Sequence, residues 1–189
     1  MSSIKFYYMP ESPPCRTVEM VAKIAGVDLD RQLVNLSAKD HLKEEYLKIN
    51  PMHKIPFIID GELKINESRA IAAYLADKYM PSDNTLFSKD PVERARVNEL
   101  LYIDASALYP AASRLLRPLL FGHSKELDPE ANAAFRDVLT YLDARLQNSG
   151  SMKYFIGNDL TIADISFAAS FTFPEACAYD LSEFKTLSS

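Results

Sequence analysis

The sequence predicts a small α/β domain with a mixed sheet, followed by an all-helical domain. Residues 1–80 alternate β-favouring and helix-periodic segments, and every long segment after them reads as helix. A polar, breaker-rich stretch, Met80-Pro81-Ser82-Asp83-Asn84, separates the two. Only 5 of 189 residues are Gly while 11 are Pro, which favours long helices opened by proline over a turn-rich all-β chain. The expected division is an α/β domain at 1–80, a linker at 81–90 and a helical domain at 91–189.

Ile4 to Tyr8 is a β-favouring run that meets Pro10. A helix is expected from Ser12, with Pro13 at its first position, where a missing N–H costs nothing. Val18, Val21, Ala22 and Ala25 then recur at helical spacing until Gly26 stops the pattern. Arg31 to Leu36 reads as a second strand. His41 to Ile49 reads as a short helix with Leu42, Tyr46 and Ile49 on one face. Ile55–Ile59 and Leu63–Ile65 flank Asp60-Gly61, a hairpin signal. Glu67 to Tyr79 closes this half as a helix with Ile71, Tyr74 and Leu75 inward.

Beyond the linker, Asp90-Pro91-Val92-Glu93 resembles a capping box and opens a run reaching Phe121. Asp128-Pro129-Glu130 opens a helix whose Phe135, Val138, Leu139, Leu142 and Leu146 form one apolar stripe. Thr161-Ile162-Ala163-Asp164 opens another, with Thr161 as cap and Asp164 bonding back.

Composition removes several function classes. At 48% hydrophobic and 25% charged residues the chain has a real core, which excludes disorder. Lys and Arg total 21 against 26 Asp and Glu, a formal charge of −5 with no basic block, so no nucleic-acid partner is expected. No apolar run reaches the roughly 18–20 residues of a membrane span, and the N-terminus lacks a signal-peptide layout. Two cysteines, Cys15 and Cys177, suit neither a disulfide scaffold nor a zinc motif. The expected address is the cytoplasm, without metal or membrane.

Four segments carry a family resemblance. They are Tyr7-Tyr8-Met9-Pro10-Glu11-Ser12-Pro13-Pro14-Cys15-Arg16, Asn50-Pro51-Met52-His53-Lys54-Ile55-Pro56, Glu67-Ser68-Arg69-Ala70-Ile71 and Leu160-Thr161-Ile162-Ala163-Asp164. In this order and spacing the chain resembles a cytosolic glutathione S-transferase, most of all the insect delta/epsilon group. The resemblance implies a thioredoxin-like N-terminal domain that binds glutathione and a helical domain that helps hold an electrophile. It also implies a homodimer, with glutathione as co-substrate and no cofactor.

The chemistry such a site must perform fits these residue types. A thiol with a pKa near ~8.5 is only about 3% ionised at pH 7, and the thiolate is the nucleophile. Lowering that pKa by ~2 units takes about 2.7 kcal/mol, and one hydrogen bond to a charged group supplies ~1.5–3 kcal/mol. The resemblance makes Ser12 that donor, with Tyr8 as its rival; the plainer reading of Ser12 is a helix cap. It implies that Ile55 presents its backbone to the cysteinyl group before a cis proline. His53, and more weakly His41, would meet the glycyl carboxylate. Ser68 would take the γ-glutamyl carboxylate, Glu67 its ammonium, and Arg69 would be a supporting charge. An anion suits that helix start. Met9, Tyr109, Leu116, Leu119 and Phe121 are the candidates for the hydrophobic substrate site.

Ser12-Pro13-Pro14-Cys15 has the spacing of a C-x-x-C motif whose attacking cysteine is replaced, so a glutaredoxin-like reductase is disfavoured. Glu11 stands where many delta members have Gly, and Arg117-Pro118 departs from a more aromatic stretch. The family normally continues one or two helices beyond Lys185-Thr186-Leu187-Ser188-Ser189. Glu11 and the short end keep a non-catalytic glutathione- or hydrophobic-ligand-binding protein of the same fold as the alternative, while Arg117-Pro118 argues against carrying over the group's substrates.

Overall fold

The computed structural model describes residues 3–148, 150 and 152–187. The chain divides into two units, Met1–Phe87 and Ser88–Ser189. Leu86 and Phe87, within the stretch expected as linker, are each only 4% exposed.

In the first unit, strand β1 (Ile4–Tyr8) buries Ile4 and Phe6 and exposes Lys5, the period-2 pattern of a strand with one face on a core. Helix α1 (Pro13–Ile24) follows, with Ser12 at its N-cap and Pro13 first. Its end is closed by Gly26 at φ +66°: Gly26 N–H donates to Lys23 O and Val27 N–H to Ala22 O, a Schellman closure that needs the left-handed residue. Strand β2 (Leu29–Leu33) starts and stops two or more residues earlier than the expected 31–36, because it pairs in parallel with β1 from Ile4↔Leu29 to Tyr8↔Leu33 and ends with it.

The helix expected over 41–49 is broken. A 3-10 turn, Asp40–Leu42, and helix α2 (Glu44–Ile49) meet at Lys43, which is extended at ψ 146°. The break turns Leu42 outward to 47% exposure while Tyr46 stays inside. Strand β3 (Phe57–Asp60) begins two residues later than expected, since Pro56 has no N–H to give a ladder. It pairs antiparallel with β1 and with β4 (Leu63–Asn66), giving the order β2-β1-β3-β4. Asp60 belongs to the strand, and the turn is Gly61-Glu62. Helix α3 (Ser68–Tyr79) packs with α1, burying Ile71, Ala72, Leu75 and Ala76. Tyr74 is only partly inward: its hydroxyl donates to Asp60 Oδ2 at 2.7 Å.

The second unit is helical. Helix α4 (Pro91–Ile103) is capped by Asp90, whose Oδ1 accepts from Val92 and Glu93 N–H. The expected capping box is only half formed, because Asp90 N–H goes to Ser88 Oγ at 3.1 Å. The run to Phe121 is continuous but passes through a π-helical segment, Asp104–Leu108, where Tyr109 N–H reaches Asp104 O. Pro110 lacks the N–H that an α-helical pattern would use there. Helix α5 (Tyr109–Leu120) follows, then α6 (Pro129–Gln147) and α7 (Ile162–Ala176). On α6, Phe135, Leu139 and Leu142 are fully covered, while Val138 and Leu146 lie at the margin of the stripe. Before α7, the Asp164 carboxylate accepts from Thr161 N–H at 2.8 Å and from Phe155 N–H at 3.1 Å, so both Thr161 and Asp164 are spent on structure. Buried Asp104 accepts from the Ser166 and Ser170 hydroxyls, tying the π segment to α7.

Candidate functional site

Strand register gathers the candidate residues. β1 ends where β3 begins, since Tyr7 pairs with Phe57, and Phe57 in turn pairs with Asn66 at the end of β4. The segments leaving that end of the sheet carry Ser12, His41, Ile55 and Glu67-Ser68-Arg69. Two helix N-termini, those of α1 and α3, therefore open at the same end, where unfilled N–H groups favour anions.

Ser12 is half-buried at the N-cap of α1, yet its side chain makes no capping bond. Its N–H donates to Met9 O at 3.1 Å, which fixes the turn before the helix. The hydroxyl lies beside the Cys15 thiol. Burial pushes that thiol up to about 11, against a smaller downward pull from Ser12 and the Met9 backbone. Cys15 is thus a neutral core residue at pH 7. Tyr8 is half-buried and its ring stacks on Phe6 at 5.2 Å.

His41 and His53 are brought together, with ring centroids 6.3 Å apart. His53 is exposed and sits at φ 46°, a left-handed backbone that costs a non-Gly residue on the order of 1–3 kcal/mol. His41 is half-buried, and its Nδ1 is covered with no hydrogen-bond partner. Ile55 is joined to Pro56 by a cis peptide and lies outside the ladder of β3. Glu67, at φ 67° and exposed, holds the N-cap of α3 without using its carboxylate as a cap. Ser68 is 2% exposed, and its Oγ accepts from Arg69 Nη1 at 3.0 Å.

Two side chains without a role in the sequence reading stand behind this loop. The Tyr46 hydroxyl and Asn50 Nδ2 both donate to Lys54 O, at 2.7 and 2.9 Å. Burial pushes the Tyr46 phenol up to about 12, so it remains a neutral donor. A lone Asn beside Pro reads as a turn residue in sequence; only its full burial shows that its side chain is committed.

Of the hydrophobic candidates, Met9 is half-buried in the first unit. In the second, Tyr109 packs edge-on against Phe173 at 6.0 Å. Leu116 is fully covered with Ala112 and Leu115 in the core of this unit, and it also borders the cavity that Leu119 lines. Helical spacing on α5 turns all three inward together. Leu119 is half-buried and lines a cavity of about 640 Å³ within this unit, whereas Phe121 is 52% exposed. Among the described residues no cluster of His, Cys, Asp or Glu could hold a metal ion, and no helix is long and apolar enough to cross a membrane.

Both halves match models of one family: glutathione S-transferase N-terminal domain over residues 6–83, and glutathione S-transferase C-terminal domain over 107–188. The chain belongs to the glutathione S-transferase family. It is similar to a delta-class glutathione transferase of Nilaparvata lugens, at 41% identity over 98% of this chain and 85% of the other, with a TM-score of 0.89. A glutathione transferase homologue of Drosophila mojavensis, solved with bound glutathione, matches at 34% identity over 100% of this chain and 85% of its own, TM-score 0.89. An epsilon-class glutathione S-transferase of Musca domestica matches at 32% identity over 94% and 85%, TM-score 0.81.

Proposed function

We propose that this chain conjugates glutathione to small hydrophobic electrophiles, with the Ser12 hydroxyl donating to the glutathione sulfur and holding it as a thiolate. The observation that carries the reading is a hydroxyl at a helix N-terminus that is not spent on capping that helix. A donor there and the positive end of α1 both favour the ionised sulfur. In this reading Ile55 meets the cysteinyl backbone, and His53, with His41 behind it, meets the glycyl carboxylate. Glu67 takes the γ-glutamyl ammonium, and Ser68 with the first N–H groups of α3 takes its carboxylate, Arg69 supporting. Met9, Tyr109, Leu116, Leu119 and Phe121 remain the candidates for contacting the electrophile. The enzyme works as a cytoplasmic homodimer, a reading supported by family membership and the prevalence of two-fold dimers.

The test is an ultraviolet difference titration of bound glutathione from pH 5 to 9; the absence of Trp leaves a clean background. Thiolate absorbance should appear about 2 pH units below the free thiol's ~8.5, and Ser12→Ala should move it back. At pH 6.5 that return leaves roughly one-fiftieth of the thiolate, so turnover should fall about fiftyfold. Glutathione binding without any shift would leave a binding module and remove the transferase claim. A Tyr8→Phe variant losing more turnover than Ser12→Ala would reassign the donor.

A further inference from the structure

The loop between α2 and β3 is organised around Asn50, which is fully buried. Its N–H donates to Tyr46 O at 2.8 Å and closes α2, and its carbonyl accepts from His53 N–H at 2.9 Å. Its Oδ1 accepts from Met52 N–H at 3.3 Å, while its Nδ2 donates to Lys54 O at 2.9 Å. One residue therefore grips the backbone on both sides of His53 and immediately before Ile55. The Tyr46 hydroxyl doubles the grip on Lys54 O at 2.7 Å. Left to itself, a histidine would leave the positive-φ backbone that His53 occupies; these bonds over-determine the conformation, the condition under which such a residue persists.

We propose that Asn50 is a positioning residue for glutathione: it sets the backbone of His53 and Ile55 in the binding geometry before the ligand arrives. It touches no ligand and acts through the Lys54 carbonyl and the His53 N–H. A site set in advance does not lose affinity to ordering the loop on binding. The inference rests on the reading of this loop as part of the glutathione site.

Calorimetric titration of the unmodified protein with glutathione comes first; if no binding is seen, that reading falls and the positioning role with it. Given binding, Asn50→Asp keeps size and the acceptor for Met52 but deletes the donor to Lys54. Folded Asn50→Asp should show a glutathione Kd and KM raised about five- to tenfold. Its kcat at saturating glutathione and the pKa of the bound thiol should be unchanged, because Ser12 is untouched. Tyr46→Phe should raise Kd in the same direction by less. The double variant should depart from the product of the two singles, since both donors serve one carbonyl. A Kd within twofold of the unmodified protein's in both folded variants overturns the proposal, as does a loss confined to kcat. If Asn50→Asp does not fold, Tyr46→Phe alone decides on the same criterion.

Discussion

Asp60→Asn should weaken the first unit in a pH-dependent way. Asp60 ends β3 with its side chain only 9% exposed. Its Oδ2 accepts from the Tyr74 and Tyr79 hydroxyls and from Lys78 Nζ, each at 2.7 Å, which clips the hairpin to the last turns of α3. Burial alone would raise the carboxyl's pKa, but the Lys78 bond and the two hydroxyls outweigh it and hold it at about 2, against an ordinary 3.8. A depression of about 1.8 units corresponds to roughly 2 kcal/mol of stability at neutral pH. Because the folded pKa is the lower one, that contribution is complete above about pH 4 and fades as the pH falls toward 2, with about half left at pH 3. Asparagine keeps the shape and an acceptor but never carries the charge. Urea unfolding at pH 7 should therefore show the variant less stable by about 2 kcal/mol, a fall of roughly 4–8 °C in Tm. The gap should narrow below pH 4. Equal midpoints at pH 7, or a gap that stays constant from pH 7 to 3, would refute the assignment of this stability to the ionised clip.

Two further outcomes are expected. Burial raises both thiols, yet Cys15 is fully covered and Cys177 is not, so a neutral thiol reagent at pH 8 should label Cys177 slowly and Cys15 only after unfolding; mass spectrometry of the modified peptides decides it. Leu116→Ala should destabilise by about 2–4 kcal/mol through the cavity it leaves, while Phe121→Ala should stay within about 0.5 kcal/mol. Denaturant midpoints compare the two, and similar losses would contradict the core placement of Leu116.

Much of the fold was legible because local rules and packing agree. Pro13 after Ser12, Gly26 at the helix end and the Thr161–Asp164 pair are each decided within a few residues, and the helices form where those signals stand. The edges of β2 and β3 were not, because a partner strand sets them: β2 stops with β1, and no periodicity within 31–36 encodes that. The break at Lys43 escaped for a similar reason, since Leu42 and Tyr46 keep helical spacing across it. At the site, motif order marks Ser12, His53 and Glu67 as residues of interest, but the sheet register is what gathers their segments at one end. Asn50 stayed silent because its partners are backbone atoms, which sequence does not distinguish. Leu116 shows why the hydrophobic candidates were hard to read, since one apolar stripe serves equally for a core and for a pocket wall: this residue is fully covered and yet borders the cavity.

The same register leaves the opposite end of the sheet available for engineering. The Gly61-Glu62 turn projects there, both residues are exposed, and a Cβ built on Gly61 would meet nothing within 4 Å, though its φ of +62° favours keeping the glycine. A fluorophore, affinity tag or surface tether spliced at Glu62 would sit a full strand length from Ile55 and Ser12. An immobilised form attached through this turn would hold the end that carries Ser12, Ile55 and Glu67 away from the support, in a single orientation.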